Sequence, residues 1–179
     1  MLVTKILCPT DLSIHSSVGI AYGISLAREN QAELVVLYVT SFPIHLFACP
    51  EEFDAVLRTE RVRRFTVERW MHEIGGKVGN FVRARFGSEL QGLSWRPKVG
   101  VGKVAREIVS AAFQEEADMI VMAKRHLKFV PRILSRSISE AVRQKAPCPV
   151  FSVCPPKILR PWQGTRLPSS RRVLQGSEA

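Results

Sequence analysis

The sequence predicts an α/β fold, a doubly wound parallel sheet of five strands with helices on both faces. Three observations lead there: short apolar runs bounded by turn residues, apolar positions at helical spacing between those runs, and an alternation of the two along the chain. With 179 residues, 46% of them hydrophobic and 23% charged, one domain closing over its own core is expected. The same composition excludes disorder throughout, collagen-like structure and a small disulfide scaffold.

Val3 to Leu7 is a short apolar run closed by Pro9, Thr10 and Asp11, which favours a buried strand over a buried helix. Ser13 or Ser16 then caps a helix in which Ile20, Ile24 and Ala27, beside Val18, Ala21 and Leu26, recur at helical spacing until Glu29 and Asn30. Leu34 to Val39 is a second apolar strand. Strand, helix and strand over residues 3–39 form a βαβ unit, whose right-handed crossover sets the carboxyl ends of both strands along one edge of the sheet. Ser41 to Pro50, with two prolines, reads as a loop. Phe53 to Phe86 is charged and helical, with Trp70, Ile74, Val78 and Val82 four residues apart. Gly75, Gly76 and Gly79 weaken that helix by roughly 1 kcal/mol each, so it bends or divides there. Arg96 to Val99 is the third strand. After Gly102, Val104, Ile108, Ala111 and Ala112 line one face of a helix, and Met119 to Met122 is the fourth strand. Ser137 to Lys145 is a short helix stopped by Pro147, and Val150 to Val153 is the last strand before Pro155 and Pro156. Residues 155–179 hold Pro, Gly, Ser and Arg with little apolar periodicity, and a mobile tail is expected.

Charge is unevenly placed. The formal net charge is +10, and residues 124–136 hold Lys124, Arg125, Lys128, Arg132 and Arg136 with no acid. The tail adds five cations, beside its Trp162, against Glu178 alone, so the body is close to neutral with two basic patches attached. The four cysteines, Cys8, Cys49, Cys148 and Cys154, form no C-x-x-C pair and have no His at zinc-ligand spacing, which argues against a metal site and for reduced thiols. No apolar run approaches the roughly 18 residues of a membrane span, and no charged-then-apolar leader opens the chain, so a cytoplasmic protein is expected.

Three stretches carry a family resemblance: Ile6 to Ser13 (ILCPTDLS), Val99 to Met122 (VGVGKVAREIVSAAFQEEADMIVM) and Ser137 to Val153 (SISEAVRQKAPCPVFSV). In these, and in the spacing of the elements between them, residues 1–154 resemble the universal stress protein family, with residues 155–179 outside the likeness. The resemblance implies an adenine nucleotide alpha hydrolase-like sheet with strand order 3-2-1-4-5, a homodimer and, in one branch of the family, an ATP site at the carboxyl edge of the sheet. Carried onto this chain, that site comprises Pro9, Thr10, Asp11, Val39, Met122, Ser137 and Ile138. The family's phosphate loop has three glycines, because backbone N–H groups must approach phosphate oxygens closely and some positions need positive φ. Counted back from Ser137, those three positions hold Arg136, Phe129 and His126, and Ala123 replaces a glycine commonly found directly after the fourth strand.

Two readings follow from this departure. In one, the side chains of His126 and Phe129 fill the phosphate space, and the protein is a non-enzymatic binding or regulatory member that takes no cofactor. In the other, Lys124, Arg125, Lys128 and Arg136 supply charge-assisted donors in place of the lost backbone ones. That protein holds a nucleotide or polyphosphate, with ATP and Mg²⁺ as cofactors and at most weak hydrolysis. A carboxylate such as Asp11 at a strand-to-helix turn also serves simply as a turn or cap residue. Asp11, His126 and Ser137 do not read as a hydrolytic triad, since no G-x-S-x-G elbow is present, and Gly75-Gly76-Lys77-Val78-Gly79 lacks the hydroxyl residue and preceding strand of a P-loop. Cys148 reads as a small buried hydrophobe. Val150, Phe151, Ser152 and Val153 form an edge strand whose backbone groups must be covered, which favours a two-fold dimer through that strand. The partner besides a second copy is a protein or an anion. Nucleic acid is disfavoured, because neither a stacking platform nor a recognition helix is visible.

Overall fold

A computed structural model describes residues 2–41, 60–124 and 138–154. The strands are β1 (Lys5–Thr10), β2 (Glu33–Thr40), β3 (Trp95–Val101), β4 (Met119–Ala123) and β5 (Val150–Val153). They form one parallel sheet in the order β3-β2-β1-β4-β5, as the sequence and the resemblance together predict. The helices are α1 (Ile14–Asn30), α2 (Glu60–Phe86), α3 (Val104–Gln114) and α4 (Ile138–Arg143).

Because successive side chains of a strand point to opposite faces, the apolar runs serve two cores at once. Ile6, Cys8, Leu34, Val36 and Val121 pack with Ile20, Ile24 and Ala27 of α1 and with Val78, Val82 and Phe86 of α2. Leu7, Val35, Leu37, Ile120 and Met122 pack on the other face, with Ile108, Ala111 and Ala112 of α3 and Val142 of α4. Cys148 packs half-buried against this second core, as a small hydrophobe does.

The structure departs from the sequence reading at several places. α2 runs unbroken through Gly75, Gly76 and Gly79, since packing of Val78 and Val82 outweighs the weak local propensity, and the P-loop-like run is interior helix. Its expected first residues, 53–59, lie outside the described residues. Val104 does not join the buried face of α3 but is exposed at the helix start. Pro9 and Thr10 lie within β1 instead of closing it. Pro9 is tolerated because of where its missing N–H points. Glu33 N–H donates to the Thr4 carbonyl and Asp118 N–H to the Lys5 carbonyl, so odd-numbered residues of β1 face β4. There the paired register ends at Leu7–Ile120, while pairing with β2 continues to Thr10–Tyr38.

The amino edge of the sheet is locked by charge. Arg96 Nε donates to Glu33 Oε1 at 2.8 Å, Lys98 Nζ donates to Glu115 Oε1 at 2.8 Å, and Arg96 also donates to the other oxygen of Glu115. Lys5 Nζ lies 3.6 Å from Glu33 and 3.7 Å from Glu115. Burial pushes the Glu115 carboxyl up, but hydrogen bonds from Arg96 and Lys98, and their charge, outweigh it and hold the group at about 2. Asp118 accepts from Thr4 N–H and Thr4 Oγ1, both at 2.8 Å, and from Lys5 N–H at 3.0 Å, which together lower its pKa.

Candidate functional site

In an open parallel sheet, ligands bind beyond the carboxyl ends of the strands where the winding reverses, here between β1 and β4. Pro9 is the local reason the β1–β4 ladder stops at that point. Its nitrogen faces β4 without a hydrogen, so the ladder that joins Ile6–Met119 and Leu7–Ile120 cannot continue, and the two strand ends are free to part.

The turn out of β1 organises its own polar groups. The Thr10 hydroxyl lies 2.8 Å from the Ser16 hydroxyl and accepts the Leu12 N–H at 3.0 Å. Leu12 takes a left-handed φ of 59°. Asp11 Oδ1 accepts from Ser13 N–H at 3.1 Å and from the Ser13 hydroxyl at 2.5 Å, the Asx-type arrangement that suits a carboxylate at a turn. Of the two serines expected to cap α1, Ser13 does so, its Oγ accepting Ser16 N–H at 3.2 Å. Asp11 is exposed above this turn, and Thr10 beneath it is buried.

The remaining site residues are spread along the same edge. Val39, near the end of β2, packs half-buried on the α3–α4 side. Met122 is buried in β4, and Ile138 opens α4 with its side chain exposed. Lys124, one residue past β4, is exposed, and its N–H donates to the Val153 carbonyl at 2.7 Å. Ser137, Arg125, His126, Lys128, Phe129, Arg132 and Arg136 lie outside the described residues, as do Cys49 and residues 155–179. Val150, Phe151, Ser152 and Val153 form β5 at the sheet edge, with Phe151 48% exposed.

Two determinants escaped sequence reasoning. α1 crosses β4 so closely that a Cβ on Gly19 would sit 2.9 Å from the Ala123 nitrogen. A Cβ on Gly23 would sit 2.2 Å from Cys8 Sγ. The signal was present as two glycines four residues apart on the helix face that also carries Ile20 and Ile24. At the far end of the edge, Gly102 N–H donates to the Thr40 carbonyl at 2.9 Å, and Gly102 at φ 144° leaves room for the Glu107 side chain. Burial pushes the Cys8 thiol well above its ordinary range, so it is a packing residue and not a nucleophile. Among the described residues, no group of three or more His, Cys, Asp or Glu is placed to hold a metal ion, and no helix is long and apolar enough to cross a membrane.

Known proteins resemble this chain in sequence and in fold. The family model "Universal stress protein family" matches residues 3–153. A universal stress protein of Methanocaldococcus jannaschii is 31% identical over 156 residues, covering 87% of this chain and 85% of its own length. One of Methanothermobacter thermautotrophicus is 28% identical over 150 residues, covering 83% and 94%. Among solved structures, UspA of Lactobacillus plantarum superposes with a TM-score of 0.60 at 21% identity, covering 86% of this chain and 99% of its own. A universal stress protein in complex with cAMP gives 0.59 at 16%, covering 86% and 98%. At these identities the two structures speak for the fold alone. With a five-stranded sheet in the expected order, the β1 turn in place and a family match spanning both, the chain belongs to the universal stress protein family.

Proposed function

We propose that this protein is a binding or regulatory universal stress protein, not an enzyme, whose carboxyl-edge crevice does not hold ATP in the manner of the family's ATP-binding branch. The observation that carries the reading is the absence of all three loop glycines, with Arg136, Phe129 and His126 in their places and Ala123 directly after Met122. Backbone donors shielded by side chains cannot close on a triphosphate. The β1 turn supports the same view. The Thr10 hydroxyl is engaged by Ser16 and Leu12, and Asp11 Oδ1 by Ser13, so a ligand reaching them would have to compete with bonds already made. Isothermal titration with ATP and Mg²⁺ tests this: no binding at micromolar concentration is expected. Micromolar binding that is lost in a Lys124→Ala/Arg125→Ala double variant would overturn it in favour of the second reading, a nucleotide or polyphosphate held by Lys124, Arg125, Lys128 and Arg136.

That second reading has its own support in the run of five cations from Lys124 to Arg136, and in a structural neighbour solved in complex with cAMP. A cyclic monophosphate asks for fewer phosphate donors than ATP, so cAMP belongs in the same titration series. The protein works in the cytoplasm as a homodimer joined through β5, with residues 1–154 as the folded unit and residues 155–179 as a basic extension. Sedimentation velocity at micromolar concentration checks the dimer.

A further inference from the structure

The helical layer over the second core leaves an apolar seam uncovered among the described residues. α3 buries Ile108, Ala111 and Ala112, yet Phe113 near its end is 62% exposed, and Val109, one turn before it, is half-buried. Glu107 lies against Gly100 and Gly102 of β3, so the opposite flank of α3, where Val109 and Phe113 stand four residues apart, is turned toward α4. On α4, Ile138 is 48% exposed and Ala141, three residues on, is half-buried. The seam starts beside the carboxyl edge of the sheet, where α4 begins, and runs down to Phe113. β5 packs next to α4, and the chain leaves it at Cys154, exposed at that same edge.

We propose that residues 157–162 of the same chain seat in this seam, with Ile158 and Leu159 beside Ile138 and Ala141 and with Trp162 against Phe113. Reach is the first argument. Pro155, Pro156 and Pro161 favour an extended chain at about 3.1 Å per residue, so the eight residues from Cys154 to Trp162 span about 25 Å. Crossing one helix takes about 10 Å, and the 11 residues of α3 are about 16 Å long, so Trp162 can arrive at Phe113. Chemistry is the second. Ile158, Leu159 and Trp162 are set among Lys157, Arg160 and prolines, and the exposed apolar side chains of the seam offer them a surface away from water. Glu116, exposed just past Phe113, favours the approach of Arg160 and Arg166. The third is the tether, which makes the contact intramolecular at an effective concentration in the mM range, while the prolines leave less conformational freedom to lose. The family match ends at residue 153, so this strap belongs to the present chain and not to the shared fold. It is independent of whether the carboxyl edge holds a nucleotide.

Limited trypsin digestion of the full-length chain tests the seat, because Lys157 opens the docked stretch and Arg172 lies beyond it. Each cleavage rate is taken relative to the same bond in a free peptide of residues 150–179. In the parent chain the bond after Lys157 should be cut about tenfold more slowly than in the peptide, and the bond after Arg172 at the peptide's rate, since proteolysis follows the population of the open form. Phe113→Ser should release the protection at Lys157 and leave Arg172 unchanged. The side chain is mostly exposed, so this variant keeps the core intact. Trp162→Ala, outside the folded unit, should release it equally, and the double variant should add nothing to either single one. Cleavage after Lys157 at the free-peptide rate in the parent chain overturns the proposal, as does protection that either variant leaves intact. Protection that fades on dilution places the segment on a second copy and overturns the intrachain seat.

Discussion

The two ends of the sheet are held by different physics. At the amino end Lys5, Arg96 and Lys98 converge on Glu33 and Glu115, and Asp118 gathers two backbone N–H groups and a hydroxyl, so opposite charges and dipoles neutralise one another. At the carboxyl end no such network spans the strands among the described residues. Hydroxyls of Thr10, Ser13 and Ser16 bond within one turn, Pro9 ends the ladder to β4, and α1 presses its Gly19 backbone against Met122 and Ala123. One end is closed by long-range charge pairing. Among the described residues the other is shaped by short-range sterics around the switch point, where a parallel sheet characteristically takes a ligand.

The sharpest way to break the carboxyl end is to add one carbon to Gly19. Gly19→Ala places Cβ against backbone, at 2.9 Å from the Ala123 nitrogen, where no side chain can rotate away. A loss of about 3 kcal/mol in urea unfolding is expected, at the upper end for overpacking. A loss under about 0.5 kcal/mol would mean that α1 and β4 are not held this closely in solution.

Breaking the amino end is the next largest effect. Glu115→Ala removes the carboxylate shared by three cations, and a loss of about 2 kcal/mol at pH 7 is expected. The figure is held down because the Arg96 and Lys98 side chains, 42% and 24% exposed, can turn to water. The same group gives this end a pH signature. The folded carboxyl sits at about 2, below its ordinary 4.5, so its stabilising effect is complete above about pH 4.5 and is lost as pH falls toward 2. Asp118, also lowered, acts in the same direction. Acid titration followed by circular dichroism should therefore show a shallower decline below pH 4.5 for Glu115→Ala than for the parent chain. Equal slopes would detach Glu115 from the acid limb.

The smallest effect lies in the cap of α1. Ser13→Ala removes the acceptor for Ser16 N–H and a donor to Asp11, and about 1 kcal/mol of thermal stability should go with it. This variant also sharpens the functional question, because it releases Asp11 Oδ1 from the Ser13 hydroxyl. If that turn competes with a ligand, titration with cAMP should give tighter binding in Ser13→Ala than in the parent chain. Unchanged affinity would show that Asp11 takes no part.

Much of the fold was legible because its signals are local. Leu34 to Val39 could only be a buried strand, Ile20, Ile24 and Ala27 repeat at a helical period, and β5 was found at its observed bounds. Where local signals conflicted with packing, they misled. Pro9 looked like a terminator, yet its missing N–H falls on the side where β1 has no ladder to complete. Val104 fitted the apolar period of α3, yet it lies at the exposed start of the helix. The candidate residues could be listed from the sequence, but not their neighbours: that Ser13 and not Ser16 caps α1, or that Gly19 abuts Met122, needed coordinates.

The sequence by itself determined the alternation of strands and helices, the family resemblance and the replacement of the loop glycines by His126, Phe129 and Arg136. Those are properties of residue type and spacing along one chain. Only the tertiary structure decided that residues 5, 33, 96, 98 and 115 share one charge network, that β1 and β4 part after Leu7, and which backbone groups of β1 face β4. Charge pairing, close backbone approach and strand parity depend on which distant segments become neighbours. That adjacency is created by the packing of the sheet and written in no single stretch of the chain.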